Sequence, residues 1–273
     1  MIINQLSIQM KYLLILLLFS IASCDIKTKD TLKATEINTI GEPQIEFNLL
    51  TVVLNKLHLK KENCKLDLVV LKENPANTNE TIIVIPEIVE EAEDYFELNS
   101  HILVVASKTG TIKYRYFESS ETNEWYSDAV RLVEIAIDTA PYHVTSESRA
   151  FGIKVRYLGS SQPNPYENET ISLFIQKNES LERILKNVTI REYGGEWDTD
   201  CAGEFVEQNS IIIMSENTTN GYYDIQIKTT TSKSIAFLNQ ANECDEKETI
   251  SKQNEVLKYD NVQYNSSLSF AKR

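Results

Sequence analysis

Acidic side chains at short spacings are the first residues in this chain that suggest chemistry. The densest run is Glu196-Trp197-Asp198-Thr199-Asp200-Cys201-Ala202-Gly203-Glu204, which sets Asp198, Asp200 and Glu204 around a glycine. Carboxylates alternating along a tight turn suit Ca²⁺, which takes roughly six to eight oxygen ligands. A second run, Glu216 to Asp224, offers Glu216, Asn220 and Asp224 as oxygen donors around Asn220-Gly221. A third stretch, Pro141 to Arg149, gathers His143, Ser146, Glu147, Ser148 and Arg149. Nucleophilic catalysis needs a Ser, a base and an orienting group converging in space. Here no Gly-x-Ser-x-Gly turn presents a serine, and a strand-exit loop explains the composition. His58 and His101 stand alone, so no paired-histidine zinc spacing arises. The chain carries 40 acids, so sequence cannot select one carboxylate pair for glycoside hydrolysis. Five aromatics beside polar loops, Trp125, Tyr126, Tyr166, Trp197 and Tyr222, offer flat faces for a polysaccharide or protein partner.

The first acidic run resembles the calcium loop of EF-hand proteins, since Asp198, Asp200 and Gly203 fall at its first, third and sixth places. It departs from that loop at the fifth place, Ala202, and at the twelfth, Asn209. The second run is similar to the Asp-rich calcium loop of FG-GAP and VCBS-type repeats, with Thr218 where that family has an acid. It occurs once, so it cannot build the propeller those repeats make. The resemblances imply at most a weak calcium site. Otherwise the two runs read as a tight surface loop and a plain hairpin turn.

These loops must be positioned by strands. Ile45, Phe47 and Leu49 alternate, Thr51 to Leu54 is apolar, and Leu66, Leu68 and Val70 alternate again. Thr81 to Ile85 is β-branched, and Tyr95 to Leu98 and His101 to Ala106 are strand-like. Lys108-Thr109-Gly110 predicts a hairpin turn, with Ile112, Tyr114 and Tyr116 on the returning strand. Strands are also expected over 128–138, 151–158, 171–175, 188–193, 210–214 and 223–227, and Asn74 to Asn77 and Asn220-Gly221 read as turns. Leu181, Ile184, Leu185 and Val188 are spaced as on a helix, with Ser180 as its N-cap. Gln240 to Asn254 is polar and predicts a long loop. The Pro/Asn-rich stretch 159–169 is the best internal boundary, where two lobes would meet.

Hydrophobic residues make up 42% and charged residues 25%, which is the composition of a globular chain rather than a disordered one. The net charge of −13 repels nucleic acid and anionic lipid headgroups, so nucleic-acid binding is excluded as a reading. Four cysteines are present, at positions 24, 64, 201 and 244, and none forms a CxxC. In an oxidising compartment Cys201 and Cys244 are the preferred pair, leaving Cys64 as a buried small hydrophobe.

Compartment is set by the N-terminal stretch. Lys11 is followed by Tyr12-Leu13-Leu14-Ile15-Leu16-Leu17-Leu18-Phe19 and then Ser20-Ile21-Ala22-Ser23-Cys24. The apolar run is too short to cross a bilayer, which takes about 20 residues. Its layout is that of an export signal: basic end, apolar centre, small residues at the cut. Ile21-Ala22-Ser23-Cys24 resembles the lipobox of bacterial lipoproteins. That resemblance implies acylation of Cys24, removal of 1–23, and attachment to the membrane through lipid alone. Acyl chains at about 0.8 kcal/mol per buried CH₂ would make such attachment lasting. Residues 24–42, rich in Lys, Thr, Asp and Glu, then read as a flexible tether.

The sequence therefore predicts a mainly β fold (α+β as the alternative): antiparallel sheets with hairpins and one short helix over 43–273. The expected function is a lipid-anchored cell-envelope protein with a non-catalytic binding or structural domain, facing either the periplasm or the cell exterior. An envelope hydrolase acting on glycan or peptide and a calcium-stabilised module are the alternatives.

Overall fold

The protein is described by a computed structural model over residues 42–265, with side chains from Leu49. Cys24, the expected signal 1–23 and the tether to residue 41 lie outside the described residues, as does the segment from 266 onward. No helix among the described residues is long and apolar enough to cross a membrane.

The chain enters through helix α1, Glu42–Leu57. Pro43 sits in the first turn, where its missing N–H costs no hydrogen bond. At the other end His58 takes the left-handed conformation (φ 57°). Leu59 N–H donates to Leu54 O at 3.0 Å and His58 N–H to Asn55 O at 3.2 Å, which is a Schellman closure. This overturns the expected strands over 45–54. The spacing Leu49, Leu50, Val53, Leu54, Leu57 is helical, and these residues all pack on one sheet face. The β-branched run Thr51-Val52-Val53 masks that period.

Thirteen strands follow: β1 (Val70–Glu73), β2 (Glu80–Glu91), β3 (Phe96–Ala106), β4 (Ile112–Glu118), β5 (Tyr126–Ser127), β6 (Val130–His143), β7 (Arg149–Gly159), β8 (Tyr166–Lys177), β9 (Ser180–Trp197), β10 (Gly203–Thr219), β11 (Tyr222–Leu238), β12 (Cys244–Tyr259) and β13 (Tyr264–Asn265). A four-residue helix, α2 (Ser120–Asn123), precedes β5. A five-stranded sheet runs in the order β1-β2-β3-β4, with β5 continuing the β4 edge of β3. The remaining eight strands form one antiparallel meander, β6 to β13. The mainly β expectation holds, with consecutive strands pairing as hairpins except around β5.

The layers follow from alternation along the strands. Ile83, Ile85, Leu103 and Val105 face α1, while Ile82, Val84, Ile102 and Val104 face the large sheet. Strands β2 and β3 are therefore apolar on both faces. The inter-sheet core is completed by Leu132, Ile135, Ile137, Phe151, Ile153, Val155 and Phe174. The opposite face of the meander curls to bury Leu173, Ile175, Ile184 and Leu185 with Ile225, Ile227 and Leu257.

Strand β9 drives that curl and corrects the expected helix at 181–188. Against β8 it carries extra residues at three places, between Glu169/Thr170, Ile171/Leu173 and Leu173/Phe174. Each bulge breaks the period of two, so Leu181 joins one core while Ile184 and Leu185 join the other. Two of these slips lie within 181–188 and imitate helical spacing. The segment 240–254, expected as a loop, is mostly β12, paired with β11 from Cys244 to Leu257. It is solvated on both faces, so it has no apolar alternation to read. The expected boundary at 159–169 is only the β7–β8 connection, with Leu158 opposite Glu167 in one sheet.

Beyond the core, β9 to β12 continue as an arm. Two glycines let it stay flat under a ring: a Cβ on Gly195 would collide with Phe205 Cδ1, and one on Gly203 would stand 2.9 Å from Phe205 Cε2. Phe205 thus covers the glycines and stacks parallel to Tyr193 at 6.2 Å between ring centroids. Cys201 and Cys244 stand at disulfide distance with Cα atoms 5.7 Å apart, as expected, and Cys64 is buried and free.

Candidate functional site

The inter-sheet core opens to solvent at one end, and the opening is a cleft of about 430 Å³. Strand β8 shows how. On one face it presents Phe174, Ser172, Thr170, Asn168 and Tyr166, passing from buried apolar to half-buried polar. On β7, Val155 stands opposite Thr170 and Tyr157 opposite Asn168, so the two strands share this floor. Strand β5 and the residues before it form the opposite wall with Glu124, Trp125 and Tyr126.

That wall is held by buried amide chemistry. Asn123 is 2% exposed and donates from Nδ2 to Leu98 O at 2.8 Å. Its Oδ1 accepts from Trp125 N–H at 2.8 Å, and Leu98 N–H donates to Trp125 O at 3.0 Å. One Asn therefore copies a strand edge where α2 interrupts the sheet. Glu124 turns the chain in the left-handed region, φ 65°, which swings Trp125 inward and Tyr126 outward. Trp125 is 5% exposed and Tyr126 47%. Trp125 is thus buried at the cleft wall, against the expectation that it stands exposed.

The β9 bulge completes the site. Asn187 lies at φ 44° where β9 slips past Ser172. Ser172 Oγ donates to Asn187 Oδ1 and accepts from Asn187 N–H, both at 2.9 Å. Asn187 Nδ2 then donates to Glu124 Oε2 at 3.1 Å, tying β9 to the wall. Tyr157 OH donates to Glu124 O at 2.6 Å. Burial and the nearby Glu124 charge push the Tyr157 hydroxyl well above the usual range, so it stays a neutral donor. Burial, then Glu192, also raises Tyr166. Beneath the cleft, Arg183 forms a bidentate pair with Glu118, Nη2 to Oε1 at 3.0 Å, and clamps β9 to β4.

Tyr126, Trp125, Tyr157 and Tyr166 therefore line one opening beside the polar side chains of Asn168 and Thr170. Three of the five aromatics expected from sequence converge here. The other two do not. Trp197 is placed by its N–H donating to Pro163 O at 2.8 Å, at the base of the arm. Tyr222 stacks on Tyr259 with centroids 3.9 Å apart, in the second core. Sequence reading missed Tyr157, Asn123, Asn168, Thr170 and Asn187 as site residues. They come from four elements, α2, β7, β8 and β9, and their only local signals were strand alternation and a bulge.

The expected calcium donors are not assembled. Asp198 Oδ1 accepts from the N–H groups of Asp200 and Cys201, both at 2.9 Å. Backbone N–H bonds, that of Asp200 first, hold Asp198 below the usual carboxylate range. The carboxylate is a turn cap. Glu204 lies on β10 beside Val206 over a groove of about 850 Å³, with Glu192 and Glu196. In the second run Asn220 and Gly221 both have positive φ, 52° and 81°, as a two-residue hairpin requires. Asn220 Nδ2 donates to Tyr259 O at 2.8 Å, Asp224 is 5% exposed, and Glu216 is exposed. No group of three His, Cys, Asp or Glu among the described residues stands close enough to hold a metal.

The histidine-centred alternatives are also placed. His143 is exposed and pairs with Arg149 across the β6–β7 hairpin. His101 is buried and hydrogen-bonded to Glu87 at 2.9 Å. Burial depresses its protonation more strongly than Glu87 favours it. No protein-family model, curated protein or solved structure matches the chain.

Proposed function

We propose that this is a non-catalytic binding protein of the bacterial cell envelope, held to the membrane by lipid on Cys24, whose aromatic cleft takes a segment of polysaccharide. The single supporting observation is the convergence of Tyr126, Trp125, Tyr157 and Tyr166 with Asn168 and Thr170 around one opening. Apolar ring faces suit the C–H faces of sugars, and amide and hydroxyl groups can donate to and accept from sugar hydroxyls. Tethering supports such a role, because a fixed site at a surface raises local concentration without needing high affinity.

Binding is preferred over hydrolysis for a specific reason. The two carboxylates that line the opening are held as acceptors: Glu124 by Asn187, and Asp128 Oδ1 by Val130 N–H at 2.8 Å. Each has a structural job in shaping the wall.

Tryptophan fluorescence tests the cleft. The chain has two tryptophans, so Trp197→Phe leaves Trp125 as the reporter. Cello-, chito- and manno-oligosaccharides and soluble peptidoglycan fragments serve as probes. Saturable quenching is expected with one class, weakened about tenfold or more by Tyr166→Ala or Tyr126→Ala, as for central aromatic contacts. No response to any probe, or equal affinity in both variants, refutes the cleft. Cys24→Ala followed by membrane fractionation tests the anchor separately: the variant is expected in the soluble fraction, and retention on the membrane refutes lipidation.

A further inference from the structure

Among the described residues, strand β12 leaves a long edge open. One side pairs with β11 at every residue from Cys244 to Leu257. Among the described residues the other side meets β13 only, at Lys258 and Tyr259. Residues 244–254 are exposed, and Ile250 is 60% exposed at the centre of the stretch. The Cys201–Cys244 bridge and the β11 ladder hold this edge in place, so it is an ordered template rather than a fraying end. Open edges invite a further strand, and charged side chains normally discourage it. Here the charges are arranged to favour one particular partner.

We propose that β12 pairs antiparallel with β12 of a second copy of this chain, joining the two arms into one continuous sheet. A two-fold axis normal to the sheet keeps each face continuous, so residues on one face must meet residues of the same face. Side chains alternate along a strand, so Glu246, Glu248, Ile250 and Lys252 share a face. With the axis at Ile250, that residue meets itself. Glu248 then meets Lys252, and Lys252 meets Glu248, giving two opposite-charge pairs around an apolar centre. On the other face Thr249 meets Ser251 and Lys247 meets Gln253. Glu246 meets Asn254, and beyond it Asp245 would meet Glu255, so like charges end the pairing there. Moving the axis to Thr249 sets Ile250 against Glu248, and moving it to Ser251 sets Ile250 against Lys252. Neither alternative joins apolar to apolar.

Sedimentation of the purified full chain in detergent, across a concentration series, reads the association. A dimer is expected for the parent chain. Lys252→Glu sets Glu248 against a second acid and is expected to weaken dimerisation by tenfold or more. The exchange variant Glu248→Lys/Lys252→Glu restores the pairing and is expected to recover the dimer. Far-UV circular dichroism checks that each variant stays folded. Ile250→Cys gives an independent readout of register, because only the self-facing position brings two thiols across the axis. A crosslinked dimer on non-reducing gels is expected for Ile250→Cys and absent for Glu246→Cys, with the parent chain as background for its own cysteines. A monomeric parent chain, a dimer indifferent to Lys252→Glu, failure of the exchange variant to restore it, or equal crosslinking at both positions overturns the proposal.

Discussion

Opening the Cys201–Cys244 bridge should loosen the arm before it loosens the rest. The bridge spans 43 residues and encloses strands β10 and β11. In the chain-entropy account, a closed loop of that length removes roughly 13 cal/mol/K from the unfolded ensemble, or about 4 kcal/mol at 25 °C. Where that stabilisation appears depends on packing. The β12 face is solvated to residue 254, and few large apolar side chains are buried in the arm, so its ladder has little core to hold it. Reduction is therefore expected to lower the global unfolding free energy by about that amount, and the loss is expected to show first as local opening of the arm, which has little core to resist it. The cleanest comparison is the same chain with the bridge oxidised and reduced, because no side-chain volume changes. Cys201→Ala/Cys244→Ala then checks that reductant acts at this bridge, since Cys64 is free and buried. Hydrogen exchange followed by peptide mass should show faster exchange in 203–210 and 229–253 at times when 82–85 and 102–105 have not yet exchanged in either form. Urea unfolding should show a steeper slope in the reduced form, because its unfolded state is more extended. Equal exchange in the arm and equal unfolding midpoints in both forms would refute the reasoning.

Three further outcomes are expected. Glu80 is 4% exposed and accepts from Lys113 Nζ at 2.9 Å, Asn74 Nδ2 at 3.1 Å and Gln176 Nε2 at 3.2 Å, so it links the small sheet to β8. Glu80→Ala should cost about 3 kcal/mol in urea unfolding, the low end for breaking a buried pair because Lys113 reaches solvent, and an unchanged midpoint would show the network idle. Acid should weaken the protein in two stages. Burial holds His101 below its ordinary 6.5, so the unfolded chain takes up that proton first and stability falls as pH drops below about 6.5. Burial raises Glu80 and Asp138, but hydrogen bonds outweigh it and hold both below their ordinary 4.5 and 3.8, so their stabilisation is lost as pH falls through and below those values; thermal midpoints flat from pH 7 to 3 would contradict both signs. His58→Gly should raise stability by about 1 kcal/mol, since glycine takes the left-handed closing position of α1 without strain, and a lower thermal midpoint would show that the His58 side chain matters more than its backbone.

Much of the fold was readable because water leaves a mark on one face of a strand. Ile112, Tyr114 and Tyr116 alternate on β4, and Asn220-Gly221 provides the two positive φ values a tight hairpin needs. Where that mark is missing or duplicated, reading failed. β12 has water on both faces, so it looked like a loop. β9 changes face at its bulges, so Leu181, Ile184, Leu185 and Val188 looked helical. In α1 a β-branched run hid a helical stripe that points at Ile83, Ile85, Leu103 and Val105.

By itself the sequence determined the strand-rich class, the strong negative charge, the likeness of Ile21-Ala22-Ser23-Cys24 to a lipobox, and the aromatic residues available for binding. Those properties are local, carried by composition, by periods of two and by neighbours in the chain. Only tertiary structure decided which aromatics meet. Trp125 and Tyr126 come from β5 and the residue before it, Tyr157 from β7, Tyr166 from β8, and Asn187 from a bulge on β9. Their meeting depends on α2 interrupting one sheet while β9 slips in the other. It depends equally on a buried Asn123 replacing the lost strand edge. Such placement arises from long-range pairing and hydrogen-bond satisfaction, which no run of adjacent residues encodes.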